Sequence, residues 1–164
     1  MKNTAHKIIF STIGVFFSTL VSATCLPIQG TVQTQSIDGT EQVGQITMTS
    51  SSSAFKKAFG QISIMGGVKG IITTINQQTG TIVLDHQIGF PEIGSIISYD
   101  DVAQITGPVD TEGNYPVTEN LPIDAATYGG AFTGWHGQVV AKGTVNFTTN
   151  TNTFIYSGKI CNTP

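Results

Sequence analysis

The sequence predicts an all-β chain: a single antiparallel β-barrel of about eight strands, with a β-sandwich as the alternative, following an N-terminal signal peptide. Three observations lead there. Apolar residues recur at every second position in run after run, the mark of strands with one buried face. Turn-forming residues separate the runs. Only 10% of the 164 residues are charged while 24 are threonine, so neutral hydroxyls, which suit strand faces better than helices, must keep the surface wet.

Along the chain, Lys2 and Lys7 precede an apolar run from Ile8 to Val21, and Val21-Ser22-Ala23 places small residues where signal peptidase cuts. Residues 1–23 therefore read as a signal peptide cleaved after Ala23, and 24–164 as one domain. The run is too short for a membrane span and no second one follows. Thr24 stands where a lipid-modification site before Cys25 needs Gly, Ala or Ser. The mature chain is expected to be secreted or periplasmic, and in an oxidising compartment Cys25 and Cys161 most simply form one disulfide.

Ile28-Gly30-Val32 and Ile46-Met48 begin the strand pattern on either side of Asp38-Gly39. Thr47, Thr49 and Ser50 to Ser53 read as a solvated linker. The one helical candidate is Ser53 to Phe59, with Gly60 to end it. Strand patterns resume around Gly70-Ile-Ile-Thr-Thr, turn at Gln78-Thr79-Gly80 and continue through Ile82-Leu84-His86-Ile88. Gly107 to Gly137 is the least regular part. It holds three prolines, one alternating run from Val117 through Glu119 to Leu121, and a cluster of Tyr128, Phe132, Trp135 and His136 that reads as a functional or core-plugging segment. Two long strands close the chain, Val139 to Phe147 and Phe154 to Ile160, joined at Asn150-Thr151-Asn152. Strand glycines suit the bends by which a sheet closes on itself, and Gly143 and Gly158, on the inward face, leave room in the interior.

Tyr128-Gly-Gly-Ala-Phe-Thr-Gly-Trp-His-Gly, followed by Gly143-Thr-Val-Asn-Phe and a last strand ending in Gly158-Lys-Ile, resembles the closing part of dirigent and allene oxide cyclase barrels. The resemblance covers roughly the last 40 residues, and implies an eight-stranded calycin-like barrel with an apolar pocket. No catalytic or pocket residue of those families can be placed on this chain.

The residues exclude more chemistry than they suggest. With no Arg, and with five Lys against ten acidic residues in 24–164, the formal charge of the mature chain is −5, which disfavours nucleic acid and acidic headgroups. No nucleophile elbow, His-x-His, His-Glu-x-x-His or calcium-loop spacing occurs, so no catalytic residue, metal ligand or cofactor is assigned. Asp85 cannot orient His86, because neighbours on a strand face opposite ways. Asp100-Asp101 reads as a turn cap. Asn146-Phe147-Thr148 fits a glycosylation sequon with its asparagine outward.

His86, Trp135 and Tyr156 are the expected ligand-binding residues. Non-catalytic binding of an apolar or aromatic small molecule is the leading reading. A secreted or surface interaction module for a protein or glycan, and an isomerase- or cyclase-type enzyme with an apolar pocket, are the alternatives. No protein partner is identified.

Overall fold

Strands that each bury one face must find a common interior, and here they find it by closing into a ring. The computed structural model describes residues 24–124 and 129–162, so the expected cleavage after Ala23, and Tyr128, lie outside the described residues. The elements are β1 (Thr24–Ser36), β2 (Glu41–Thr49), α1 (Ser53–Phe59), β3 (Ser63–Asn76), β4 (Thr81–Phe90), β5 (Gly94–Ile105), β6 (Asn114–Asp124), β7 (Trp135–Asn146) and β8 (Thr151–Asn162). All neighbours are antiparallel in the order of the sequence, and β1 returns to β8 from Thr24↔Asn162 to Gln35↔Thr151. That closed ring replaces the sandwich alternative and leaves no edge strand among the described residues. Among the described residues no helix is long and apolar enough to cross a membrane.

Cys25 and Cys161 face each other in the β1–β8 register and are joined by a disulfide, with Cα atoms 4.0 Å apart. They sit at the end of the barrel that α1 stoppers. Ser52 caps that helix, its Oγ accepting from Ala54 N at 3.2 Å, and Gly60 ends it in the left-handed conformation. Its two buried rings plug the barrel. Phe55 packs on Phe59 (centroids 4.7 Å apart), Phe59 stacks on Phe132 (4.7 Å) and meets Trp135 (5.5 Å), and Phe132 touches Phe90. Phe132 is seated by a backbone bond from Ala131 N to Ile93 O. The tract from Thr47 to Ser53 is thus strand, buried Ser50 and helix cap, where a solvated linker was expected.

The opposite end carries the tight connections. There Asp38, Asn76, Asp110 and Asn146 each turn a side-chain oxygen onto backbone N–H groups of their own turn. Asn146 is buried, and its amide also donates to Glu112 O and Asn114 Oδ1, so the sequon asparagine faces inward and its amide nitrogen is engaged. Alternation misplaced it because the turn claims the side chain where β7 ends.

Gly143 and Gly158 also act differently from expectation. A Cβ on either would strike the backbone of the neighbouring strand, at Thr153 or Gln138, so these glycines permit close strand approach rather than emptying the lumen. Gly30 does both. A Cβ there would meet the Thr47 carbonyl and come within 2.8 Å of the Tyr156 ring, which crosses over Gly30 so that its hydroxyl donates to Thr47 O at 2.6 Å.

Candidate functional site

The interior is mostly apolar, with polar side chains at two levels. Ile82, Leu84 and Ile88 of β4 and Val117, Leu121 and Ile123 of β6 point inward, as their alternation requires, and so do His86 and Glu119 between them. A cavity of about 60 Å³ runs through this space, from Ile28 and Met48 beneath the plug to Thr34 and Gln42 near the hairpin end. One water needs only ~10–15 Å³ on that scale, so the space suits a small organic molecule.

What holds His86 in this apolar setting is a defect in β5. Between the pairs Leu84↔Asp101 and His86↔Ser98 the register shifts, and Asp100 adopts a positive φ of 56° at the bulge. Its N–H is taken by Asp85 Oδ1 at 3.0 Å, on the outside. The bulge breaks the parity of the strand, so that Ser98 and Asp101, three residues apart, both face in. Asp101 Oδ2 lies 2.6 Å from His86 Nδ1 and accepts from Ser98 Oγ at 2.5 Å. The β5–β6 pairing is interrupted over the same stretch, between Ile97↔Asp124 and Val102↔Asn120, and Pro122, which has no N–H to offer a ladder, falls there.

With Nδ1 committed to Asp101, the free ring nitrogen is Nε2, 3.7 Å from Glu119 Oε1. Burial alone would pull the imidazole down. The bond to Asp101 and the charges of Glu119, Asp101 and Asp85 outweigh it, and His86 is held above its usual value. Burial, with Asp101 adding to it, pushes the Glu119 carboxyl up despite the opposing pull of His86. Glu119 Oε1 and Asp101 Oδ1 are buried without a protein hydrogen-bond partner. His86, Asp101 and Glu119 offer one nitrogen and two carboxylates within 4.8 Å, a donor set that could also take a cation.

The three expected ligand residues separate. His86 and Tyr156 line the cavity, but the Tyr156 hydroxyl is spent on Thr47 and burial pushes it far up, so it offers the cavity its ring rather than a polar handle. Trp135 belongs to the plug. His136 follows it in β7, exposed, opposite Cys161. Asp101 and Glu119 were not among the expected site residues. Glu119 had a signal, since its neighbours two positions away are Val117 and Leu121. A second polar group, Thr34, Gln42 and Asn152, joins β1, β2 and β8 near the hairpin end, with Asn152 Nδ2 donating to both partners at 3.0 Å.

No protein-family model, curated protein or solved structure matches this chain.

Proposed function

We propose that this is an exported barrel that binds a small, largely apolar molecule in its lumen, between the aromatic plug and the Thr34–Gln42–Asn152 group. The observation that carries the reading is a largely apolar cavity into which His86 and Glu119 converge, since ligand sites combine apolar walls with a few convergent polar groups. Export is supported by the basic and apolar leader ending in Val21-Ser22-Ala23 and by the disulfide. The resemblance to dirigent and allene oxide cyclase barrels is in keeping with a lumen of this kind.

The test is calorimetric and NMR titration of the pure protein with compact hydrocarbons and aromatics. Saturable binding is expected, with shifts concentrated at Leu84, Ala141 and Phe154. Ala141→Leu, which fills the lumen, should abolish it while the barrel stays folded. No binding in the parent protein, or binding unchanged in Ala141→Leu, would remove the lumen as the site.

A further inference from the structure

We propose that the point between His86 Nε2 and Glu119 Oε1, 3.7 Å apart on the cavity wall, seats the carbonyl oxygen of a compact ketone or aldehyde, with both side chains donating to it. This deepens the lumen-binding reading and rests on it.

The inference comes from charge and hydrogen-bond accounting inside the barrel. Asp101 is fully buried and has two donors of its own, His86 Nδ1 and Ser98 Oγ, so it is committed to holding the imidazole and does not line the cavity. The short bond from His86 Nδ1 to the Asp101 carboxylate, with the charge of Asp85 nearby, favours the imidazolium even where Glu119 keeps its proton, and imidazolium and carboxylate make a neutral pair. An ionised Glu119 would then leave one unbalanced negative charge among aliphatic side chains, which costs far more than keeping its proton. Its upward displacement by burial agrees. The lumen therefore presents an N–H and a carboxylic O–H side by side, and the ligand has to supply the acceptor. A carbonyl oxygen, with two lone pairs and no proton, matches that pair. A separation of 3.7 Å is too long for a direct hydrogen bond between the two groups, yet short enough for one oxygen to reach both. An ammonium or a divalent cation would instead need Glu119 ionised.

Four ligands of one shape separate these cases: cyclopentanone, cyclopentanol, cyclopentylamine and methylcyclopentane, with zinc chloride alone as a fifth arm. With two donors meeting one acceptor, cyclopentanone is expected to bind at least about tenfold more tightly than methylcyclopentane. Its C=O stretching band should move to lower wavenumber on binding, a change that a merely structural Glu119 would not cause. Glu119→Leu should weaken both effects to what the His86 donor alone supplies and keep methylcyclopentane binding. Glu119→Gln, which retains an N–H donor, should restore part of them and serves if the leucine variant does not fold.

Tighter binding of the amine or the alcohol than of the ketone, an unshifted carbonyl band, or stoichiometric uptake of zinc overturns the proposal. If methylcyclopentane binds and cyclopentanone binds no better, the carbonyl assignment falls while the lumen reading stands. If none of the four binds, both fall.

Discussion

His86 Nδ1 and Asp101 Oδ2 lie 2.6 Å apart across the β4–β5 ladder, although the ladder pairs Asp101 with Leu84 and His86 with Ser98. The bulge at Asp100 closes the gap. Breaking a buried charged pair by removing one member typically costs about 3–5 kcal/mol, because the other charge remains buried. Asp101→Asn is therefore expected to lower unfolding stability by about 3 kcal/mol in denaturant titration. The double variant with His86→Gln should lose clearly less than the two single losses added together. Additive losses would show the two groups to be uncoupled.

Stability should fall as pH rises from acid toward neutral and beyond. His86 is held above its usual 6.5 in the folded chain, so its contribution is complete below pH 6.5 and is lost as pH climbs through the folded value. Glu119, displaced upward from 4.5, acts in the same sense from about pH 4.5 upward, because the unfolded chain releases that proton first. The groups facing His86 are Asp101 from β5 and Glu119 from β6, with Asp85 beside it on β4; β3 presents only Gly70. Asp38 and Asp110, held low by backbone and Thr40 or Asn114 bonds, work oppositely, and their share disappears as pH falls through their folded values, below 3.8. Melting temperature against pH should peak between about 4 and 6.5, with the alkaline side flattened in His86→Gln. A maximum above pH 8 contradicts this.

Tyr156→Phe and Gly30→Ala probe one contact from two sides. Removing the hydroxyl leaves Thr47 O without that donor and should cost about 1 kcal/mol. The alanine forces its Cβ into the Thr47 carbonyl and against the tyrosine ring, so the loss should exceed that of Tyr156→Phe. Thermal denaturation of both variants checks the order. Equal losses would mean the ring is not pinned over Gly30.

Reducing Cys25–Cys161 releases a loop of 136 residues, which in chain-entropy terms weakens the folded state by roughly 4–5 kcal/mol. The β1–β8 ladder continues well beyond the bridge to Gln35↔Thr151, so the reduced protein should keep its far-ultraviolet circular dichroism at low temperature and lose stability on heating. Loss of the strand signal at low temperature would show that the bridge, not the ladder, closes the ring.

Where side chains alternate regularly the sequence could be read directly, and where a local feature shifts parity it could not. Seven of the eight strands, the helix over Ser53 to Phe59 and the inward His86 follow from spacing, and the plugging segment around Phe132 and Trp135 from its clustered aromatics; β5 was not among the expected strands, because its alternation is broken at Asp100. Asp85 was correctly separated from His86. Its replacement partner was hidden because a positive φ at Asp100 leaves no periodic trace, and Asp101 counted as an ordinary neighbour of Asp100 looks like a turn residue. Asn146 was misplaced for the same kind of reason, since turn hydrogen bonds override strand alternation at the last residue of β7. Charge accounting in the lumen required knowing which strands oppose one another, and no single run contains that.

The order of the ring also bears on how the chain reaches it. Seven of the eight seams join strands consecutive in sequence, and each can zip from its own connection with little loss of chain freedom. The eighth joins the first strand to the last. Until it forms, the sheet is a curled ribbon with two long unpaired edges, open to pairing with another chain. Closure of β1 on β8 is thus the late, non-local step that sets both the folding rate and the window for aggregation, and a thiol bridge at that seam locks the ribbon after it has closed.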